Sequence, residues 1–547
     1  MPDPTPDYWR RRAPALREED HFGRRLTCFA ERPSTLHAML AESAALRPEA
    51  EALVCGGTRL SYGELDRAVA RCANGMMARG IRRGDRVAIL LGNRPEFVIA
   101  FFAAARLGAI VVPLNVREQK PELAYVLGHS GAALLVAEAD LAGRLPDPAE
   151  LPALAHRLFV GASEGTEPPG EPFAALLAAD DHCPPAPTEE DEVAAILYTS
   201  GTTGRPKGAM LTHLGFVHSC LHYRHAFALG PRDRALVAVP LSHVTGTVAL
   251  MAAAFACGSA LVILPQFKAA DFLDLMAAER VTYTLLVPAM YNLCLLQPEF
   301  AARDLSAWRI GGYGGAPMPL PTIERLAKHL PGLRLANAYG ATETTSPTTI
   351  MPSEYTAAHL DSVGLVVACG EVRVADDEGL ALPPGTSGEI WIRGPMVVKG
   401  YWQDEAATAR EITDGFWHSG DIGDLDEHGF LRVFDRKKDM INRGGYKVFT
   451  AEVESVLCGH PEVVEAAVVG VPCPVLGERV HAFVVTRRRA GADTLRAYCA
   501  AQLSDYKVPE TYDIQQEPLP RNANGKLLKR VLKARLATQG TQAARRE

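Results

Sequence analysis

A glycine- and threonine-rich segment that follows a short apolar run most constrains what this chain can fold into. The run 193–197 predicts a buried strand, and the residues from Thr212 onward predict a helix. Between them stand three glycines, four Ser or Thr residues, Arg205 and Lys207. Glycines let backbone N–H groups approach a ligand, while hydroxyl groups and cations add donors and charge. We therefore predict a phosphate-binding loop between a strand and a helix, with a flexible surface loop as the alternative. It is not a P-loop, because no Gly-Lys-Ser/Thr stands at the required spacing.

The composition indicates a large globular protein. The chain has 547 residues, 48% of them apolar, and a formal net charge of −7, which argues against a nucleic-acid partner. Eleven cysteines are scattered without a Cys-x-x-Cys pair, which favours a reducing compartment and provides no metal site. The N-terminus lacks the apolar stretch of a secretory signal. We therefore predict a cytoplasmic protein.

One segment, 247–264, is long and apolar enough to raise the question of a membrane span. Gly258 divides it into helix formers before the glycine and the β-prone Leu261-Val262-Ile263 after it. We predict a buried helix that leads into a buried strand, with no stable membrane insertion.

Strands and helices alternate over most of the chain. Residues 86–91 predict a strand, 96–107 an apolar helix and 109–112 another strand, which together form a βαβ unit and imply a parallel sheet. After a linker at 141–190, further strands are predicted at 235–239, 260–264, 283–287, 308–312 and 333–337. The prediction is a large doubly wound α/β domain whose ligands lie at the carboxyl ends of its strands.

The last third of the chain changes character twice. Short alternating runs broken by Gly and Pro at 353–434 predict antiparallel β structure, a small barrel or sheet on the α/β core. The charged segment 435–439 predicts a hinge between an N-terminal domain, 1–434, and a small mobile α+β domain, 440–547. Residues 1–34 show no usable pattern, and a lid, an oligomer contact and a disordered arm all stay open.

A second motif, Tyr339-Gly340-Ala341-Thr342-Glu343, follows a predicted strand end. Alone, such a glutamate could merely cap a helix. Together with the loop 198–208, the motif resembles the adenylate-forming superfamily of acyl-CoA synthetases, carrier-protein adenylation domains and luciferases, over about residues 35–536. The resemblance implies that Tyr339 stacks on adenine, Thr342 contacts the α-phosphate, and Glu343 holds Mg²⁺ with Thr202.

The same resemblance extends the nucleotide site along the chain. It assigns Asp421 and Arg436 to the ribose and Lys526 to the mobile lysine that lets a carboxylate approach an anionic α-phosphate. The residues it assigns to ATP or AMP are Thr199, Ser200, Gly201, Thr202, Thr203, Gly204, Lys207, Gly315, Ala316, Pro317, Tyr339, Gly340, Ala341, Thr342, Asp421, Arg436 and Lys526.

Three further groups of residues follow from the resemblance. The acid pocket takes His243 as its gate, although Ser242 replaces the usual aromatic residue beside it. The glycine-gated CoA segment leaves room for the narrow pantetheine arm, and Lys438 matches the hinge position. The assigned residues are His243, Thr245, Gly246, Tyr313, Ala338 and Ser346 for the acid, and Gly444, Gly445 and Tyr446 for CoA.

The resemblance implies an ATP- and Mg²⁺-dependent acid:CoA ligase. The acid becomes an acyl-AMP with loss of pyrophosphate, and the CoA thiol then displaces AMP. Lys526, Glu343, Thr342 and His243 would be the catalytic residues. Two alternatives remain: a stand-alone adenylating enzyme that loads a carrier protein, and a catalytically silent nucleotide-binding protein. The acid, fatty or aryl, and a homodimer are left open.

Overall fold

The computed structural model describes residues 5–161, 170–199, 205–316, 318–487, 490–521 and 527–543. The chain forms two compact units. The first lies within Met1–Arg373, Trp391–His418 and Leu425–Leu431, and the second within Val374–Ile390, Ser419–Asp424 and Arg432–Glu547. The second unit thus takes in parts of the β-rich segment, and the hinge predicted at 435–439 stays a prediction.

The first unit begins with a short helix and a hairpin. These are α1 (Tyr8–Arg12), β1 (Leu16–His21) and β2 (Arg24–Phe29), and the hairpin turns at Phe22 and Gly23 with positive φ. Phe29 is fully buried and its N–H donates to His218 Nε2 at 3.2 Å. The described part of residues 1–34 is therefore packed into the first unit, and a disordered arm is wrong. Because β1 carries charged side chains that are neutralised by ion pairs, it shows no apolar alternation.

Two mixed sheets form the body of the first unit. Its strands up to residue 366 are β3 (Glu51–Cys55), β4 (Thr58–Ser61), β5 (Arg86–Leu90), β6 (Ile110–Pro113), β7 (Leu134–Glu138), β8 (His156–Val160), β9 (Glu171–Pro172), β10 (Val193–Thr199), β11 (Lys207–Thr212), β12 (Arg234–Val237), β13 (Ala260–Ile263), β14 (Tyr283–Leu286), β15 (Ile310–Tyr313), β16 (Arg334–Tyr339), β17 (Thr349–Ile350) and β18 (Leu365–Val366). Within the described residues they form a seven-stranded sheet, β11-β10-β6-β5-β7-β8-β9, and a nine-stranded sheet, β18-β17-β16-β15-β14-β12-β13-β3-β4.

The helices of this unit pack on those sheets because their inward faces are apolar. They are α2 (Leu36–Leu46), α3 (Tyr62–Ala78), α4 (Pro95–Arg106), α5 (Lys120–Ser130), α6 (His213–Ala226), α7 (Ala253–Ala256), α8 (Ala269–Ala278), α9 (Pro288–Leu295), α10 (Leu320–His329) and α11 (Glu405–Glu411). In α4, for example, Phe97, Phe101 and Phe102 are fully buried. The doubly wound α/β prediction is confirmed, with the expected strands found within a few residues of their predicted bounds.

The apolar segment 247–264 is internal, as predicted. A π-helix, Thr245–Ala252, continues into α7 and then into the buried strand β13. Across the part of the chain that the structure describes, no helix has the length and apolar character that a bilayer crossing requires.

The prediction that the phosphate loop runs directly from a strand into a helix is wrong. A strand, β11, stands before the helix and pairs antiparallel with β10, with Thr199 opposite Lys207. The helix α6 then begins at His213, and Thr212 caps it by accepting a hydrogen bond from Gly215 N at 3.1 Å. The glycine-rich segment therefore connects two antiparallel strands. The apolar residues Ala209 and Leu211, buried in β11, are the signal for this strand.

The β-rich segment and the second unit contain the remaining elements. The strands are β19 (Glu371–Ala375), β20 (Gly388–Arg393), β21 (Ile412–Thr413), β22 (Phe416–Leu425), β23 (Leu431–Arg436), β24 (Ile441–Arg443), β25 (Tyr446–Val448), β26 (Val463–Cys473), β27 (Gly477–Thr486) and β28 (Thr511–Gln515). The helices are α12 (Thr450–Cys458), α13 (Ala492–Ala500) and α14 (Lys529–Ala543). Strand β27 pairs antiparallel with β26 and parallel with β28, and the apolar side chains of these strands form the core of the second unit.

Candidate active site

The first unit brings the predicted metal-binding glutamate to the end of the strand that enters the phosphate loop. Thr199, the last residue of β10, donates through Oγ1 to Glu343 Oε1 at 3.2 Å. Glu343 follows the carboxyl end of β16, and its carbonyl oxygen accepts a hydrogen bond from Val398 N at 2.9 Å. Two predicted site residues that are 144 positions apart in the chain are therefore in direct contact.

A tyrosine that the sequence did not single out lies beside this glutamate. The Tyr401 hydroxyl is 3.4 Å from Glu343 Oε1 and 2.8 Å from Glu411 Oε2, and it accepts from Trp417 Nε1 at 3.3 Å. Burial, together with the charges of Glu343 and Glu411, raises the pKa of Tyr401. The phenol therefore stays protonated and acts as a hydrogen-bond donor.

Lys207 of the predicted phosphate loop belongs to the same cluster. Its Nζ is 2.5 Å from Glu411 Oε2 and 4.2 Å from the centroid of the Tyr401 ring. Burial opposes ionisation of Glu411, but hydrogen bonds from Lys207, Arg410 and Tyr401 outweigh it and lower its pKa. The cluster thus combines two carboxylates with a lysine that a phosphate ligand could recruit.

The motif after β16 is held by its own backbone and side chains. Ala341 N donates to Thr344 Oγ1 at 2.9 Å, and Thr348 N donates to the Tyr339 carbonyl at 2.8 Å. A Cβ on Gly340 would stand 3.2 Å from Thr348 N, so glycine allows this tight return of the chain. Thr342 and Glu343 are consequently presented, partly exposed, at the carboxyl edge of the sheet.

The predicted acid-pocket residues also gather at the carboxyl edge of the nine-stranded sheet. Tyr313 ends β15 and stands in register with Asn337 of β16, next to Ala338. Tyr313 and Ala338 are largely buried, and Ser346 is 2.8 Å from the hydroxyl of Tyr223 on α6. Burial raises the pKa of Tyr313 to about 12. These residues combine buried apolar surface with hydroxyl groups, two of which are paired with each other.

His243 and Gly246 follow β12 at that same edge. The His243 side chain is solvent-accessible, yet enough protein atoms surround it that desolvation lowers its pKa. Its Nδ1 is 3.4 Å from Thr245 N. A Cβ on Gly246 would stand 2.3 Å from the Pro240 carbonyl oxygen, so this glycine is required by a close backbone approach. Gly246 is the second residue of the π-helix, a form of helix frequent at functional sites.

The adenine-flanking turn assigned by resemblance lies just past β15. Gly315 adopts a positive φ of +76° and, like Ala316, is exposed. Its neighbour Gly314 approaches the Ala338 carbonyl so closely that a Cβ would stand 2.4 Å from that oxygen. The turn therefore leaves an open surface beside the motif that contains Tyr339.

In the second unit, the two predicted ribose-binding residues form an ion pair. Arg436 Nε lies 2.7 Å from Asp421 Oδ1, and Arg436 Nη1 donates to the Ser419 carbonyl at 3.0 Å. Asp421 is 5% exposed, and its N–H donates to Ser419 Oγ at 3.0 Å. The Ser419 hydroxyl thus anchors this turn.

The predicted CoA segment is a tight turn between β24 and β25. Gly444 and Gly445 have φ values of +60° and +90°. A Cβ on Gly445 would meet no atom within 4 Å, so the backbone conformation explains this glycine and the space beside it stays open. Tyr446 is 60% exposed and stacks on Tyr506 with ring centroids 4.7 Å apart.

Beside the predicted hinge residue Lys438, Asp435 is tied to the start of α12. Thr450 donates to Asp435 Oδ2 through both its N–H and its hydroxyl, the latter at 2.7 Å. Lys529 Nζ lies 2.6 Å from Thr450 Oγ1 and 2.6 Å from Glu454 Oε1. A proline at 450 would lack the N–H that donates to Asp435.

Several predicted site residues lie outside the described residues. They are Ser200, Gly201, Thr202, Thr203 and Gly204 of the phosphate loop, Pro317 of the adenine-flanking turn, and Lys526. Their assignments remain predictions, as do those of the other site residues.

The donors around Glu343 suit magnesium. A carboxylate and a hydroxyl, Glu343 Oε1 and Thr199 Oγ1, meet at 3.2 Å at the edge of the predicted phosphate loop. Mg²⁺ prefers oxygen ligands and usually uses one or two carboxylates together with substrate phosphates. The residues present therefore fit a magnesium–nucleotide site.

Comparisons with known proteins identify the family of this chain. Residues 40–402 match the AMP-binding enzyme family and residues 452–526 match the AMP-binding enzyme C-terminal domain. The chain is 39% identical to a feruloyl-CoA synthase from Amycolatopsis over 89% of this chain and 96% of that protein. It is 34% identical to the long-chain-fatty-acid–CoA ligase FadD13 of Mycobacterium tuberculosis over 90% of this chain and 97% of the ligase.

A solved structure is similar over nearly the whole chain. It is o-succinylbenzoate CoA synthetase from Bacillus subtilis in complex with its acyl-adenylate intermediate, with a TM-score of 0.82, 32% identity, and coverage of 92% of this chain and 98% of that one. The same synthetase has been solved with ATP and a magnesium ion.

The chain therefore belongs to the AMP-binding enzyme family of adenylate-forming acyl-CoA synthetases. Within that family it is an ATP-dependent acid:CoA ligase that forms an acyl-AMP and transfers the acyl group to CoA, with Mg²⁺ as cofactor.

Proposed function

We propose that this ligase activates an aryl acid, and that the residues described above divide the reaction between them as follows. The contact between Thr199 and Glu343 at the phosphate loop is the observation that supports the assignment of the metal site. Glu343 and Thr202 would hold Mg²⁺, which neutralises charge on the phosphates as pyrophosphate leaves. Thr342 would hydrogen-bond the α-phosphate.

The substrate carboxylate has to approach an anionic phosphate. We assign Lys526 to that step, because a cation between two anions stabilises the charge that develops as the oxygen attacks phosphorus. Asp421 would accept hydrogen bonds from the ribose hydroxyls, and Arg436 holds its carboxylate in place at 2.7 Å. After pyrophosphate leaves, the CoA thiol would attack the acyl carbonyl past Gly445, with AMP as the leaving group.

One observation supports an aryl acid over a long-chain fatty acid. The feruloyl-CoA synthase is more similar to this chain than FadD13 is, at 39% against 34% identity. A long-chain fatty acid is the second candidate, supported by the similarity to FadD13.

Location and partners belong to the same proposal. All eleven cysteines are free, and most are buried, which fits a reducing cytoplasm. The glycine turn at Gly444 and Gly445 leaves room for a pantetheine arm, which CoA and a carrier protein both carry. We favour free CoA because the sequence of this segment resembles that of CoA ligases. No nucleic-acid partner is proposed, and a homodimer is neither proposed nor excluded.

A substrate panel tests the proposal. AMP release with ATP, Mg²⁺ and CoA would be measured for ferulate, 4-hydroxycinnamate, benzoate, octanoate and palmitate, with each thioester identified by mass. We expect kcat/KM for a hydroxycinnamate to exceed that for palmitate at least tenfold. A preference for palmitate would contradict the aryl-acid proposal, whereas thioester formation only on a carrier protein would contradict the use of free CoA.

A further inference from the structure

The phosphate-loop lysine already has a partner in this structure. Lys207 Nζ is 2.5 Å from Glu411 Oε2, and the two side chains are only 13% and 22% exposed. The Tyr401 ring lies under the same ammonium, with its centroid 4.2 Å from Nζ. Before Lys207 can turn towards a nucleotide phosphate, it must give up a charge-assisted hydrogen bond and a cation–π contact.

Glu411 accepts hydrogen bonds from two donors other than Lys207. Its Oε1 accepts from Arg410 Nη2 at 2.8 Å, and its Oε2 accepts from the Tyr401 hydroxyl at 2.8 Å as well as from Lys207. When Lys207 departs, two donors remain, so the carboxylate is not left without a partner in a partly buried place. Stranding such a charge would otherwise make the departure costly.

The Tyr401 hydroxyl links this exchange to the metal-binding glutamate. It has one proton to donate, and it lies closer to Glu411, at 2.8 Å, than to Glu343 Oε1, at 3.4 Å. Trp417 Nε1 fixes the hydroxyl oxygen from the other side at 3.3 Å. Donation to Glu411 is therefore the arrangement while Lys207 stands at that carboxylate.

We propose that Glu411 is a positioning residue that holds Lys207 in the nucleotide-free enzyme and competes with the phosphates of ATP for its ammonium, while Tyr401 supplies the hydrogen bond that lets Glu411 release it. This inference rests on the proposed role of Lys207 in phosphate binding. It gives a specific purpose to two residues, Tyr401 and Glu411, that lie 194 and 204 positions from Lys207 in sequence.

Competition between Glu411 and ATP for Lys207 should weaken the binding of MgATP. When only a fraction of the empty enzyme has Lys207 free, the apparent Kd for MgATP exceeds the intrinsic one by the inverse of that fraction. Removing the competitor should therefore tighten binding. If Lys207 is free in about 5–20% of the empty enzyme, Glu411→Gln should lower the Kd about 5- to 20-fold.

The test is calorimetric titration of MgATP into the full-length enzyme without acid, so that no adenylate forms. Wild type is compared with Glu411→Gln and with Glu405→Gln, which removes the same charge from an exposed position of the same helix, α11. We expect tighter binding for Glu411→Gln only. An unchanged or weaker Kd for Glu411→Gln, or equal tightening by Glu405→Gln, would overturn the proposal.

Tyr401→Phe provides a second measurement. It keeps the ring under Lys207 but removes one of the donors that let Glu411 release the lysine, so MgATP should bind a few-fold more weakly. In the Glu411→Gln background the same change should have less effect, because the two residues act on one lysine. Equal effects in both backgrounds would contradict the coupling. Wild type is first shown to form acyl-AMP, so that failure of the ligase assignment is detected separately.

Discussion

Low pH should reduce the folding stability of the first unit, because this unit contains histidines that are buried in their neutral form. His218 on α6 is 0% exposed, and both of its ring nitrogens are used: Nδ1 lies 2.9 Å from the Leu214 carbonyl, and Nε2 accepts from Phe29 N at 3.2 Å. Protonating Nε2 would set an N–H against the N–H of Phe29. His213 is similar, because its Nδ1 accepts from Leu36 N at 3.2 Å.

The magnitude follows from the pKa shifts. Burial lowers the pKa of His218 from 6.5 to about 3, opposed by its hydrogen bond to Leu214, with smaller effects from Arg32, Glu19 and His21. Burial lowers the pKa of His213 to about 4, opposed by Glu192. Below pH 6.5 the unfolded chain binds more protons than the folded one, so stability falls as the pH falls towards the folded pKa. Between pH 8 and pH 5 each histidine should cost about 2 kcal/mol.

The matched measurement compares pH dependences rather than absolute stabilities. Urea unfolding of the full chain, followed by pulse proteolysis at pH 8, 7, 6 and 5, would be measured for wild type, His218→Gln and His428→Gln. His428 is an exposed histidine of the same unit. Wild type should lose about 2 kcal/mol more than His218→Gln over this range, because glutamine does not titrate. Parallel profiles for wild type and His218→Gln, or a profile for His428→Gln that differs from wild type, would refute the reasoning.

Three further predictions concern the half-reactions. Lys526→Ala should lose adenylation by about 10²- to 10³-fold while still converting supplied acyl-AMP and CoA to thioester, and equal loss in both assays would contradict its role. Glu343→Gln should raise the Mg²⁺ concentration for half-maximal pyrophosphate exchange about tenfold or more, and an unchanged Mg²⁺ titration would make Glu343 structural. Lys438→Pro should retain pyrophosphate exchange but lose thioester formation from acyl-AMP, because proline fixes φ at the predicted hinge; wild-type rates in both assays would place the hinge elsewhere.

The sequence predicted the α/β body well because parallel strands buried on both faces have a strong apolar signal. Strands β5, β13 and β15 lie within two residues of the predicted segments. The sequence also predicted that the motif containing Glu343 follows a strand end, at the edge where doubly wound sheets place their ligand-binding residues. Thr199 and Tyr313 were assigned to the site by the resemblance to the family.

Side-chain contacts between distant segments could not be predicted from the sequence. Tyr401 and Glu411 have no local pattern that separates them from ordinary surface residues of a turn and a short helix, and only the pairing of β11 with the segment around residue 400 brings them to Lys207. Backbone bonds such as Trp402 N to the Gly208 carbonyl, at 2.7 Å, define that pairing. The strand β11 itself was missed because glycines and Pro206 suggested a longer loop.

The N-terminal hairpin limits how many residues can be removed from the N-terminus of this enzyme. The side chain of Arg32 is 4% exposed and donates to both Glu19 and Glu190, at distances between 2.6 and 2.9 Å. A recombinant version that began at residue 40, where the family match begins, would lose Arg32 and leave Glu190 without this cation. His218 Nε2 would lose the hydrogen bond that it accepts from the N–H of Phe29. The limits of a family match are thus not the limits of a cooperative folding unit, and expression of the catalytic region should include the chain from residue 5 onward.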